Sequence, residues 1–355
     1  MQPKELTFTD QESQQLGEYL DQFVAAGPLE ALPEELFKQV QVLVARKIWE
    51  IRPDIARAIQ AVADEDQPPA LLIKNVPIDD PLPDTPRDIR PKTDLTELRS
   101  HYFHAGVSAI RYGDLISMDK VHLINIVREK GDTNHEIFPG RAMHRDINGP
   151  HFGDFGLHTQ RENTQAETPI ISIDDIPSTL RKELESISFE GEPTFLIQQT
   201  NEGKRFHPCF KEAPRSGLQG MYDDGSPTIS TDDMPAVQAF FDWMKNKALQ
   251  EDHLVLREKD FLLIDQSRTF HGGTPYYVHY PVTEGRWLTR MQCEVLDGSR
   301  YALGDEQKKG MGKLPEDPVE RKQVLDTFYP MPGDIDELEV LKQLSEHSNH
   351  KQMVR

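Results

Sequence analysis

From Val121 onward the chain consists of short β-rich runs separated by turn residues, and this pattern limits the folds open to it. The runs are Val121–Val127, Pro169–Ile173, Thr194–Gln198, His253–Leu256, Phe261–Ile264 and Arg286–Cys293. One helical stretch, Asp232–Leu249, interrupts them. Many short strands with few long helices are typical of antiparallel sandwiches and barrels. The sequence therefore predicts an α+β chain with an antiparallel β core.

The region before these strands is predicted to be mainly helical. Helical spacing of apolar residues covers Gln11–Phe23, Leu36–Val62 with a break at Pro53, and Leu95–Val107, while Ala70–Val76 has the composition of a buried strand and Pro77–Pro91 that of an extended connector. We expect residues 1–110 to pack on a core formed by residues 111–300. The charged residues 301–355 are expected to form a helical C-terminal extension of this single catalytic domain.

Charge and cysteine content exclude several classes of protein. The formal net charge of −20 argues against nucleic-acid binding. The two cysteines, Cys209 and Cys293, are too few for a disulfide framework and predict free thiols in a reducing compartment. Neither a signal-peptide pattern nor an apolar run of about 18 residues is present. We therefore expect a cytoplasmic protein that does not bind membranes. The sequence does not indicate how many subunits it has.

Two parts of the sequence predict a metal site. His271 follows the apolar run Phe261–Ile264 and precedes two glycines, which allow the backbone to bend closely around a ligand. Of the 13 histidines, only His144 has a carboxylate two residues later, in Asp146. Two histidines and one carboxylate can bind one face of an iron ion and leave positions open for other ligands. The alternatives are a structural role for His144 and a strand-end position without function for His271.

The run Arg286–Cys293 predicts an anion site beside the metal site. Side chains alternate along a strand, so Arg286 and Arg290 share one face, about 13 Å apart by strand rise. That separation favours two small acids, each bound by one arginine, because the guanidinium fork matches a carboxylate. The alternative is a solvent-facing strand with hydrated arginines.

The block Asp260–Gly272, followed by Arg286–Arg290, resembles the distal histidine and arginine block of the clavaminate synthase-like Fe(II)/2-oxoglutarate oxygenases. These include bacterial hydroxylases of free amino acids and are related to taurine dioxygenase. Residues 70–86 and 157–177 resemble other parts of the family, so the resemblance spans roughly residues 70–300. It implies a double-stranded β-helix (jelly-roll) core with flanking helices, Fe(II) as the metal, and 2-oxoglutarate and O2 as cosubstrates.

The resemblance also implies roles for individual residues. His144, Asp146 and His271 would bind Fe(II). Arg286 would bind the distal carboxylate of 2-oxoglutarate, with Thr168 assisting. The sequence departs from the family where His158 is followed two residues later by Gln160, because the family's His-Thr-Glu form ends there in a carboxylate. His144 and Asp146 are therefore favoured as the ligand pair.

The implied reaction is hydroxylation of a small molecule, a free amino acid whose carboxylate Arg290 would bind. Asp223 and Asp224 lie where the family's lid can carry acids, and they could bind the basic end of lysine or arginine. An ordinary Asp-Gly turn is the alternative for them. A ferryl oxidant would attack the C–H bond, with release of succinate and CO2. Hydroxylation of a small dicarboxylic acid such as glutarate, or a catalytically silent jelly-roll binding protein, are the other functions considered.

Overall fold

The computed structural model describes most of the chain, and the account below is confined to those residues. They are residues 1–25, 29, 32–62, 67–86, 98–111, 113–115, 124–128, 137–138, 141–144, 153–186, 197–200, 203–206, 211–213, 217–219, 235–266, 268–277, 281, 284–295 and 335–354.

Helices form mainly in the N-terminal third, as the sequence predicts. They are α1 (Asp10–Val24), α2 (Glu34–Ile51), α3 (Pro53–Ala61), α4 (Arg99–Ile110), α5 (Ser178–Ser186), α6 (Pro235–Gln250) and α7 (Glu337–Val354). A capping box begins α1: the Glu12 amide donates to the Thr9 hydroxyl at 3.3 Å, and the Thr9 amide donates to the Glu12 carboxylate at 2.8 Å. The expected break between α2 and α3 occurs at Arg52, because Pro53 is the first residue of α3.

The strands are short and mostly antiparallel. They are β1 (Lys4–Thr7), β2 (Ala70–Lys74), β3 (Gly113–Leu115), β4 (Ile124–Arg128), β5 (Ile137–Phe138), β6 (Arg141–His144), β7 (Gly153–Arg161), β8 (Glu167–Thr168), β9 (Ile170–Ser172), β10 (Ile197–Thr200), β11 (Gly203–Phe206), β12 (Lys211–Ala213), β13 (Gly217–Gln219), β14 (Leu254–Val255), β15 (Phe261–Asp265), β16 (Thr269–Gly273), β17 (Tyr276–Tyr277) and β18 (Trp287–Val295).

Two sheets matter for the site. The major sheet has the order β1-β2-β15-β7-β18-β3, with β4 also pairing β18, and only β1 and β2 run parallel within it. The minor sheet has the order β6-β16-β9 and is antiparallel. Because β15 and β16 are consecutive strands in different sheets, the chain passes from one sheet to the other immediately before His271.

Strand alternation divides the core into two layers. One face of the major sheet packs against helices α1 to α4 and α7, with Phe261, Leu263 and Met291 in that cluster. The opposite face carries Phe155 and Leu288 in a second cluster, which also includes Ile170 of the minor sheet. This second layer is the interior between the two sheets, and residues of opposite parity on one strand face different layers.

The described elements confirm the predicted α+β class. Strand β1 and its parallel pairing with β2 were not predicted from the sequence. These two strands extend the major sheet, which places the N-terminal region in direct continuity with the core. The division at residues 110 and 300 remains an interpretation of the sequence.

Candidate active site

His271 lies in the centre of the minor sheet, paired on both sides. Its Cα partners are His144 on β6 and Ile170 on β9. Residues directly opposite each other in an antiparallel pair lie on the same face, with Cβ atoms about 4.5–5.5 Å apart. The register therefore places the backbones of His144 and His271 opposite each other, although the two residues are 127 positions apart in sequence.

The two glycines after His271 do not form a turn. Instead, Gly272 and Gly273 extend strand β16, and the Gly272 amide donates to the Pro169 carbonyl at 3.1 Å. The pairing of β16 with β6 is irregular between His271 and Gly273. The glycines thus lie at an irregularity in the strand pairing, a position where glycine is common because it has no side chain.

Phe155 links the minor sheet to the major sheet at this point. The buried His271 ring stacks on the Phe155 ring, with centroids 4.6 Å apart and an interplanar angle of 22°. The Arg290 guanidinium carbon lies 6.0 Å from the centroid of the same phenyl ring. His271 and Arg290 therefore both contact one aromatic side chain, Phe155, and the predicted role of Arg290 stays a prediction.

Arg286 lies one residue before β18 and is held by two neighbours. Its Nε donates to Glu162 at 2.6 Å, and its guanidinium carbon lies 5.4 Å from the centroid of the Tyr276 ring. The two side chains of this ion pair are largely covered, with exposures of 11% for Arg286 and 5% for Glu162. Among the described residues, no group hydrogen-bonds the Nη1 or Nη2 atoms of Arg286.

The proline-rich connector fixes the backbone beside Arg286. The buried Thr85 hydroxyl donates to the Gly285 carbonyl at 2.9 Å, and Arg161 donates to the same hydroxyl at 2.6 Å. On the other side, the Asn163 amide donates to the Glu284 carbonyl at 2.6 Å. Contacts from the connector and from the end of β7 thus set the position at which Arg286 enters the site.

Thr168 is buried on β8 and lies close to β16. The residues on either side of it accept hydrogen bonds from the segment after His271: Gly272 to Pro169 at 3.1 Å and Thr274 to Glu167 at 2.9 Å. Thr168 therefore adjoins the histidine strand, and its predicted role in binding the cosubstrate stays a prediction.

Three predicted site residues lie outside the described part of the chain. They are Asp146, Asp223 and Asp224. Within the described ranges no three histidine, cysteine, aspartate or glutamate side chains are placed to share a metal ion. The carboxylate of the proposed triad, two residues after His144, remains a prediction from the sequence.

His158, the alternative histidine, faces the helical layer. Its ring contacts Phe103 and His104 of α4, at centroid distances of 5.8 and 6.2 Å, and it is fully buried. Burial lowers the pKa of His158 to about 3, and the nearby His101 adds to this effect. Phe155 and His158 are three positions apart on β7, so their side chains lie on opposite faces of the sheet. Because His271 stacks on Phe155, His158 lies across the sheet from His271. It is therefore excluded as a partner of His271.

Comparison with solved structures identifies the fold that carries these residues. The chain is similar to the non-haem iron oxygenase OrfP in complex with Fe and α-ketoglutaric acid, with a TM-score of 0.66 and 18% identity over 84% of this chain and 96% of OrfP. It is also similar to asparagine oxygenase in complex with Fe(II), (2S,3S)-3-hydroxyasparagine and succinate, with a TM-score of 0.60 and 16% identity over 81% of this chain and 92% of that one. The fold is that of these non-haem iron oxygenases.

This finding confirms the jelly-roll prediction and, at the level of fold, the resemblance seen in the sequence. A third similar structure is OrfP with Fe and L-Arg, with a TM-score of 0.60 and 16% identity over 83% of this chain and 95% of OrfP. No protein-family model matches the sequence, and no curated protein is significantly similar to it. Among the described residues, no helix is both long and apolar enough to cross a membrane.

Sequence reasoning missed three residues that contact the predicted site residues: Phe155, Glu162 and Tyr276. The strand period of β7 could have indicated Phe155, because it shares a parity with the apolar Leu157. Glu162 carries no comparable signal, because it is 124 positions from Arg286, and Tyr276 carries none because the loop between it and Arg286 decides their contact.

Proposed function

We propose that the protein is an Fe(II)- and 2-oxoglutarate-dependent hydroxylase of a free amino acid. The observation that carries this proposal is the pairing of His271 with His144 on the minor sheet, together with the contacts of His271 and Arg290 with Phe155. A candidate metal ligand, His271, and a residue that could bind a carboxylate, Arg290, thus contact the same buried ring.

The described residues fit the proposed metal. The backbone register pairs His144 with His271, two residues of a type that binds iron, and stacking on Phe155 restricts the orientation of the His271 ring. Asp146 would complete a two-histidine, one-carboxylate set. Bound iron, with O2 and 2-oxoglutarate, supplies the oxidation of a C–H bond with release of succinate and CO2.

The protein's own groups would bind and orient the two organic molecules. Arg286, with its Nη atoms not bonded to the described protein groups, would bind the distal carboxylate of 2-oxoglutarate, and Thr168 would assist. Arg290 would bind the carboxylate of the amino acid. The two arginines contact different aromatic rings, Tyr276 and Phe155, which supports separate roles. The buried interior around Phe155 would exclude water from the reacting carbon.

A basic amino acid is the substrate class that we favour. OrfP has been solved with L-Arg, L-canavanine and (3S)-hydroxy-L-Arg, and asparagine oxygenase with a hydroxyasparagine. In this chain Asp223 and Asp224 are the acids that would bind a lysine ammonium or arginine guanidinium group.

Succinate release with Fe(II) and 2-oxoglutarate, measured across the free amino acids and small diacids, tests the proposal. We expect stimulation by lysine or arginine. Stimulation by glutarate alone would assign the dicarboxylic acid function instead. No succinate above background with any compound would contradict the proposal and favour a binding protein.

A further inference from the structure

Glu162 forms an unusually complete set of hydrogen bonds for a residue beside the site. Its Oε1 accepts from the Thr164 amide at 2.6 Å, the Thr164 hydroxyl at 2.7 Å and the Gln165 amide at 2.9 Å. Its Oε2 accepts from Arg286 Nε at 2.6 Å. One oxygen therefore anchors the carboxylate to the turn after β7, and the other is directed at Arg286.

These contacts restrain Arg286 from two directions. Glu162 binds the Nε edge of the guanidinium, and Tyr276 lies within cation–π distance of it. The Nη1 and Nη2 atoms at the end of the fork make no hydrogen bond to the described residues. Because a guanidinium is planar and rigid, fixing one edge determines where the other N–H groups point.

We propose that Glu162 is a positioning residue that sets how deep in the site Arg286 meets the distal carboxylate, and thereby selects the chain length of the 2-oxo diacid. This inference rests on the proposed function, and on Arg286 as the ligand of the distal carboxylate. A guanidinium held at a fixed depth favours a diacid of one length, since the other end of the diacid is held by the metal. Free movement of Arg286 would let a longer diacid be accommodated.

The role requires a carboxylate specifically. All four donors around Glu162 present N–H or O–H groups, so both of its oxygens must accept. A glutamine amide has one acceptor oxygen and one donor nitrogen, and its NH2 group would oppose either the turn amides or Arg286 Nε. Glu162→Gln should therefore release Arg286 although it preserves the size of the side chain.

The experiment measures binding of 2-oxoglutarate and of 2-oxoadipate, one methylene longer, by calorimetry with Mn(II) in place of Fe(II). Mn(II) accepts the same types of ligand, and turnover is not needed. We expect wild-type protein to prefer 2-oxoglutarate, and Glu162→Gln to weaken its binding at least about tenfold, because a hydrogen bond between charged groups is lost. The affinity ratio of the two diacids should fall toward one.

The matched control is Thr164→Ala, which removes one donor to Oε1 but leaves the contact with Arg286. It should keep the wild-type ratio. The ratio does not depend on the folded fraction, because both affinities are measured on the same sample. The positioning role would be overturned if Glu162→Gln kept the wild-type affinity ratio, or if Thr164→Ala lowered the ratio as much as Glu162→Gln does. It would also be overturned if wild-type protein bound the two diacids equally well. If wild-type protein binds neither diacid, the proposed function itself fails, and this inference with it.

Discussion

Arg286 and Arg290 have the same residue type and lie four positions apart, yet their surroundings differ. The Arg286 guanidinium is held by the carboxylate of Glu162 and by Tyr276, whereas Arg290 lies over Phe155, the ring that also stacks on His271. An arginine fixed by a buried ion pair suits a ligand of constant shape, such as 2-oxoglutarate. The arginine that shares the Phe155 ring with His271 suits the molecule whose C–H bond must approach the metal.

This difference predicts separable effects of two substitutions. Arg286→Ala should raise the 2-oxoglutarate concentration needed for half-maximal rate by at least about tenfold, since a charged hydrogen-bond donor is removed, with a much smaller effect on the substrate requirement. Arg290→Ala should show the opposite pattern. Steady-state kinetics with each component varied in turn measures both. The reversed pattern would mean that the two roles are exchanged.

At the residue scale, the sequence predicted which residue types belong to the site better than it predicted their partners. That Arg290 shares a strand face with Leu288 followed from strand alternation, because the period of two is local, and both residues lie beside Phe155. The Glu162 contact with Arg286 joins residues 124 positions apart and depends on how β7 and β18 pair. No local pattern contains that information.

Helix α4 is the element that most directly supports the sheet behind the site. Phe103 packs edge-on against Phe261 of β15 at 5.1 Å between centroids, and His104 contacts Thr289 of β18 at 3.0 Å. His158 of β7 completes this contact region. Burial lowers the pKa of His104 well below its ordinary value, and the neighbouring His158 and His101 add to the shift. The interface therefore requires neutral imidazoles.

The neutral histidines make this interface sensitive to acid. The pKa of His158 is about 3 in the folded chain and about 6.5 when unfolded, so the unfolded state binds the extra proton between these values. The contribution of neutral His158 to stability is therefore present above about pH 6.5 and is lost as the pH falls below that value. By this linkage the titration of His158 lowers the free energy of unfolding by about 2 kcal/mol at pH 5 relative to neutral pH.

Urea unfolding at pH 7.5 and pH 5 measures the effect. His158→Gln should lose about 2 kcal/mol less than wild type between the two pH values, whatever its stability at pH 7.5. An unchanged pH dependence in His158→Gln would show that His158 is not held neutral in the folded protein.

At the element scale, local signals located most helices and the strands β2, β4, β9, β15 and β18, but they located neither β6 nor β7. The capping residue Thr9 and the break at Pro53 are examples of signals that operate within one turn of helix. Strand β1 was not predicted, because its pairing with β2 spans 67 positions and its own composition, Lys-Glu-Leu-Thr, is not strongly β-forming. Helix α4 begins four residues later than its apolar pattern indicated.

For the whole molecule, the helical layer and the sheets are joined by a buried ion pair. Arg111, at the end of α4, donates through Nε to Asp154 of β7, and through Nη1 to the Gln60 carbonyl at 2.6 Å. The two side chains are 4% and 0% exposed. Asp154 immediately precedes Phe155, so this pair fixes the strand that carries the aromatic contact with His271.

Asp154→Asn should destabilise the whole chain. Removing the charge leaves Arg111 buried without its partner carboxylate, which costs roughly 3–5 kcal/mol of unfolding free energy. Denaturant unfolding measures this loss. The exposed pair between Lys38 and Glu34 provides the control, because solvent screens it and Glu34→Ala should change the unfolding free energy far less than Asp154→Asn does. Equal effects of the two variants would contradict the structural role of the buried pair.

The central claim is that His271 and His144, with Asp146, bind one Fe(II) ion, and anaerobic Fe(II) binding at equilibrium tests it most directly. The wild-type chain should bind one Fe(II). His271→Ala and Asp146→Ala should each weaken binding by at least about 100-fold, since loss of outer contacts alone costs 10- to 100-fold. The His158→Gln variant should bind Fe(II) as wild type does. Wild-type affinity in His271→Ala, or loss of binding in His158→Gln with its fold intact, would contradict the account.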